Sequence, residues 1–345
     1  MDKKTIAFAI LLMVIGLFVL PAISLQFADR EMTTKNNPVE KIEFFDQDTA
    51  SYPTMLKAQG TKIVDANGKD VVLTGLSTPD PHRLYQLDKF SLEYYQDVFK
   101  LGGNAIRIPV NPSRYLADDY YMWRFLDLIV KWAGENNFYV ILDWDCSGNP
   151  VSGEGENLTD ISNHVEEKTN DFWEATAKHF KDTPNVVFEI YSEPEGIEAE
   201  KWAEITNGVI STIRNQGANQ LIIVGSLNKG YDISWANEVE LNDDNVALAM
   251  HIYPDLDYES IITSYDIDMP LIVTAWGFID TDSVTKSDKF GGSADSFGKP
   301  LMDLLNSSKI SWIASCYDDK LEPAMFYKDT ENLTFYGKFV MEQLK

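Results

Sequence analysis

Positive charge is scarce in this chain: 29 lysines and arginines stand against 54 aspartates and glutamates over 345 residues, a formal net charge of -25. A surface of that sign repels nucleic acid and anionic lipid and disfavours both as partners. Cysteine is nearly missing too, since Cys146 and Cys316 are the only two and allow at most one bridge. No Gly-rich phosphate loop follows any early apolar run, which removes the usual support for a nucleotide-binding open sheet. Internal repeats and low-complexity segments are absent as well. What the chain does have is apolar material, 44% hydrophobic and 12% aromatic, enough for one large core or two medium ones.

The N-terminus is organised differently from the rest. Lys3 and Lys4 precede an uncharged run from Thr5 to Leu25 that ends in Pro21-Ala22-Ile23-Ser24, small residues at cleavage-like spacing. Residues 1–25 are therefore expected to be a cleaved signal peptide or a retained transmembrane anchor, because about 20 apolar residues also span a bilayer. The lysines stay inside in either case. Residues 26–57 are polar, lack a sustained period and contain two prolines, as a linker or stalk would. Export to the cell surface or beyond is the expectation, and the sequons at Asn157, Asn306 and Asn332 are compatible with it. Residues 58–345 match the size of a single α/β barrel, expected to be monomeric.

Periodicity points the same way. Apolar runs bounded by turn residues occur at 71–76, 105–110, 139–144, 186–191, 221–225, 246–253, 271–276 and 310–314. Helical spacing fills most of the intervals, including 92–101, 123–136, 172–180, 202–216 and 297–305. Alternating strands and helices predict a parallel sheet, and eight of them a (β/α)8 TIM barrel. Function in such a barrel collects where strands end. The polar and aromatic residues there are Arg107, Asp143, Asp145, Glu189, Glu193, His251, Tyr253 and Trp276, with Ala275 among them. Carboxylates mixed with rings at a barrel mouth suit sugars, whose apolar faces stack while their hydroxyls bind charge.

Several segments then make a specific pattern: TKIVDANGKDVVLTGLS, GGNAIRIPV, YVILDWD, NVVFEIYSEP, ALAMHIYP, PLIVTAWG and KISWIASCYDDK, in that order. Together they resemble glycoside hydrolase family five, cellulase-like retaining enzymes with two catalytic glutamates on strands four and seven. The resemblance implies that Glu193 holds the acid/base position and that Ala275 stands where the nucleophilic glutamate belongs. It also puts Ser192 in place of a sugar-binding asparagine, Asp145 in place of a histidine and Ser315 near a substrate-stacking tryptophan. Arg107, His251, Tyr253 and Trp276 match the family's substrate-site residues.

Plainer roles compete with these. Arg107 suits a prop for a neighbouring acid such as Glu193 or Asp145, Glu189 and Asp143 suit buried structural groups, and Trp144 and Trp276 suit core as well as binding surface. Cys146 and Cys316 could pair only if loops bend across the mouth. Asp145, Cys146, His251 and Cys316 have no local ligand spacing, so neither metal nor cofactor is expected. Two functional readings remain. One is a polysaccharide- or oligosaccharide-binding or scaffolding barrel whose retaining hydrolysis is lost with the nucleophile. The other is a rewired inverting enzyme, with Glu193 as acid and Asp145 or Glu195 as base.

Overall fold

The computed structural model describes residues 49–266, 268–280 and 289–345. The expected signal or anchor, and residues 26–48 of the expected linker, lie outside the described residues. Among the described residues, no helix is long and apolar enough to cross a membrane.

Eight parallel strands close into one barrel: β1 (Thr74–Ser77), β2 (Ala105–Val110), β3 (Tyr139–Trp144), β4 (Val186–Glu189), β5 (Ile222–Val224), β6 (Val246–Ile252), β7 (Leu271–Trp276) and β8 (Ser311–Ala314). Each pairs with its sequence neighbours, and β8 closes onto β1 through Trp312 opposite Thr74. The eight strands fall where the apolar runs predict them. β1 starts later than its run because Val71 belongs to an N-terminal turn, its N–H donating to Ile63 O. At Gly75 a side chain is impossible, since a Cβ would lie 1.8 Å from Ala105 O on the neighbouring strand.

Alternation along each strand divides the core in two. Ala105, Tyr139, Ile141, Val187, Ile223, Ala249, Ile272 and Ile313 fill the barrel interior, which Leu56 and Ile63 join from the N-terminal segment. Tyr52 and Leu56 are buried, so packing reaches back before residue 58. Outward residues such as Ile106, Leu142, Trp144, Phe188 and Trp276 meet the helices, among them α1 (Leu92–Lys100), α2 (Asp127–Glu135), α3 (Val165–Phe180), α4 (Ala199–Asn215), α5 (Lys299–Ser308) and α6 (Phe335–Gln343). This settles the tryptophans by position. Trp144 stacks on Phe172 at 4.2 Å and donates to Thr169 Oγ1, while Trp276 packs edge-on against Trp312, Tyr336 and Phe339. Both rings lie in the layer between barrel and helices, so the position of Trp276 does not support the expected substrate contact.

One irregularity shapes the mouth. The register between β6 and β7 runs Met250 opposite Val273 and then His251 opposite Ala275, leaving Thr274 as an extra residue. Such a bulge re-aims the side chains that follow it. Here it lets Trp276 face outward three residues after the outward Val273, and it sets Ala275 beside His251.

Candidate active site

Inward positions on β2, β3 and β4 carry Arg107, Asp143 and Glu189, and neighbouring strands bring them into contact. Arg107 Nε donates to Glu189 Oε2 at 2.6 Å, and its Nη2 lies 3.1 Å from Glu189 Oε1 and 3.0 Å from Asp143 Oδ2. The partners of Arg107 are therefore Glu189 and Asp143, not the expected Glu193 or Asp145, because strand alternation points 107, 143 and 189 to one side. Burial alone would lower the guanidinium pKa, but Asp143 and Glu189 outweigh it and raise it above the ordinary arginine value. For Asp143, burial is the leading cause and pushes its pKa well up against the pull of Arg107. Ser192 completes the group: its hydroxyl donates to Asp143 Oδ1 at 2.6 Å and is only 3% exposed. Ser192 is thus tied down into the barrel.

Glu193 sits above this network on an added strip of sheet. The segment after β3 pairs with the segment after β4, Ser147 opposite Glu193 and Gly148 opposite Pro194. Glu193 N–H donates to Cys146 O at 2.9 Å, which fixes the backbone. Both carboxylate oxygens are engaged: Ser147 Oγ donates to Oε2 at 2.8 Å, and His251 Nδ1 lies 2.9 Å from Oε1. Burial would raise the Glu193 pKa, but His251, Ser147 and the charge of Lys289 reverse that and bring it down to about 2. The His251 ring comes this close because residue 230 is a glycine, φ +82°, where a Cβ would meet the ring at 2.8 Å.

Asp145 is half-buried and behaves in the opposite sense. Its N–H donates to Val110 O, and Asn157 Nδ2 donates to its Oδ2 at 3.1 Å. Burial raises its pKa to about 6, Arg107 opposing and the charge of Glu193 adding to the rise. Glu195 lies further out, half-exposed, with Lys229 Nζ 3.3 Å from its Oε2. Tyr253 is buried with its ring edge-on to Phe290 at 4.9 Å, and Lys289 stands 5.1 Å from its centroid. Ser315 lies close to Tyr253 and offers no ring for stacking. Ala275 is 4% exposed. Cys146 and Cys316 are both buried and free. Among the described residues no cluster of His, Cys, Asp and Glu could hold a metal ion.

Glu193, His251, Tyr253, Asp145 and Ala275 are thus gathered at one end of the barrel, over the Arg107 network. Sequence reading missed Ser147, Asn157 and Lys289. Asn157 was legible only as a sequon, and Ser147 and Lys289 carry no local motif.

Opposite pKa shifts on neighbouring acids separate their effects on stability. Glu193 has a depressed pKa, so its contribution of about 3 kcal/mol is present above pH 4.5 and fades as pH falls towards 2. Asp145 has a raised pKa, so its ionisation weakens the fold as pH rises from about 4 through 6. Asp145→Asn is therefore expected to stabilise the domain above pH 6 and to change nothing below pH 4. Urea unfolding at both pH values checks this, and equal effects would remove the electrostatic explanation.

A (β/α)8 barrel with carboxylates, histidine and tyrosine at the C-terminal ends of its strands is an architecture that glycosidases share with other enzymes. The profile of the family Cellulase (glycosyl hydrolase family 5) matches residues 64–320, and the chain belongs to that family. Relatives include an endoglucanase of Clostridium saccharobutylicum, 27% identical over 302 residues, covering 83% of this chain and 62% of that protein. Endoglucanase 5 of Pectobacterium carotovorum subsp. carotovorum is 26% identical over 320 residues, covering 84% and 57%. The chain thus spans about three fifths of the length of these relatives. Among solved structures, a β-glucanase of Saccharophagus degradans in complex with cellotetraose superposes with a TM-score of 0.77 at 19% identity, covering 88% of this chain and 98% of that one.

Proposed function

We propose that this chain is an exported, β-glucan-binding member of the cellulase family that has lost retaining hydrolysis. The observation that carries the reading is Ala275: the position opposite His251 at the end of β7 holds a methyl group instead of a nucleophilic carboxylate. A covalent glycosyl intermediate cannot form on it. Loss of a covalent nucleophile costs about 10^6 in turnover in a protease, and a comparable fall is expected here. The state of Glu193 supports the reading as well. With both oxygens accepting hydrogen bonds it remains an anion at neutral pH, so it is poorly suited to donate a proton. That same feature weighs against the inverting scheme with Glu193 as acid, and Glu195 is engaged by Lys229.

Sugar recognition is supported by the family, by the relatives named as endoglucanases and by the cellotetraose complex of the structural neighbour. His251, Tyr253, Asp145 and Glu193 are the groups proposed to meet the glycan. Export rests on the N-terminal run, with a tether through residues 5–25 if that run is retained. Calorimetry of the full chain with cello- and manno-oligosaccharides is expected to give binding heat without release of reducing ends. Silence across β-linked glycans would overturn the binding reading, and steady release of reducing sugar would overturn the loss of hydrolysis.

A further inference from the structure

A second concave surface is lined by the segments that follow β7 and β8 and by the start of α6. Its volume is about 660 Å³, within the range of small-molecule clefts. Phe278, Asp280, Glu322, Tyr327, Lys328 and Phe335 are among its lining residues, and it shares none with the group around Glu193. Tyr327 is 47% exposed and Phe335 60% exposed, and both line this one hollow. Exposed rings lining one hollow mark a binding surface more than scattered apolar residues do.

The geometry points to a secondary polysaccharide site here, distinct from the mouth, that takes an extended, uncharged β-linked glucan chain. Three observations converge on that occupant. Tyr327 and Phe335 offer flat apolar faces of the kind on which pyranose rings stack. Lys338 stands 5.5 Å from the Phe335 ring centroid, which occupies part of that ring's surroundings but leaves it 60% exposed. Asp280, Glu322 and Lys328 supply acceptors and donors for hydroxyl groups along the same hollow. The mixed signs of these three groups, on a chain of net charge -25, suit a neutral polymer better than an anionic one. The ligand class rests on the glycan reading of the preceding section, but the residues are separate, so the two can fail separately.

The test uses the full chain, its retention on insoluble cellulose and its affinity for cellotetraose. Tyr327→Ala with Phe335→Ala is expected to lower retention at least five-fold and to leave the calorimetric affinity for cellotetraose at the mouth unchanged. Both residues are exposed, so the double variant keeps its core; an unchanged thermal transition verifies this. His251→Ala is expected to show the converse, losing cellotetraose affinity while keeping most of the retention. Tyr120→Ala serves as control, since its ring is 50% exposed and lies outside the hollow. Retention of the double variant equal to wild type overturns the second site and leaves the mouth untouched. An equal loss in the Tyr120 control also overturns it, because it reduces the effect to non-specific adhesion. Retention that needs the two rings while cellotetraose gives no heat in the wild type sustains the second site and overturns the mouth.

Discussion

Replacing Ala275 by glutamate is expected to raise hydrolysis of cello-oligosaccharides by about 10^3-fold or more, with retention of anomeric configuration. The gain is a fraction of the roughly 10^6 that a covalent nucleophile contributes elsewhere. Two effects act together. The new carboxylate stands opposite His251 in register, where the bulge at Thr274 directs residue 275 to the mouth. Its charge also raises the pKa of nearby Glu193, moving that group from a locked anion towards a proton donor. Full recovery is not expected, because the Ser192 hydroxyl is committed to Asp143 and Ser315 provides no stacking ring. Adding Glu193→Gln to the Ala275→Glu chain is expected to abolish the gain. Product configuration read by NMR, with rates from reducing-end release, decides the matter. A silent Ala275→Glu chain would place the loss in Ser192, Asp145 and the missing ring instead of at residue 275 alone.

Arg107→Met is expected to have the largest effect on stability, a loss of about 3–5 kcal/mol near neutral pH. The wild-type guanidinium is buried with Glu189 at 2.6 Å and Asp143 at 3.0 Å, so its removal strands two acids in the barrel interior. Asp143, already pushed up by burial, rises further once the opposing charge of Arg107 is gone, and stability is lost as pH climbs above the unfolded carboxyl range near 4. The deficit should accordingly shrink towards pH 4, where the unfolded Asp143 carboxyl approaches half protonation. Denaturant unfolding at pH 7 and pH 4 measures it. A deficit independent of pH would attribute the loss to packing and not to charge.

Much of the fold was legible because barrel strands are buried on both faces and read as short apolar runs. β2, β3 and β7 coincide with their runs in the sequence, and the other five differ only at their ends. Glu193 and Ala275 were legible for a different reason: each stands in a motif whose neighbours fix its place at a strand end. The partners of Arg107 were not. Nothing local in sequence relates residues 107, 143 and 189, which meet only because three consecutive strands turn the same parity inward. Trp276 shows the same limit from the other side, since a one-residue bulge decides whether it faces the barrel mouth or the helices.

By itself the sequence determined the alternation of strands and helices, the acidic composition, the family pattern and the alanine at position 275. These depend on residue type and spacing along the chain. Tertiary structure alone decided the ionisation of the site. Glu193 is held near pKa 2 by His251, 58 positions away, and Ser147, 46 positions away, while burial and the Glu193 charge push Asp145 up to about 6. Proton affinity is set by hydrogen bonds and charges within a few ångströms, and strand pairing around a closed barrel is what brings those groups within that range.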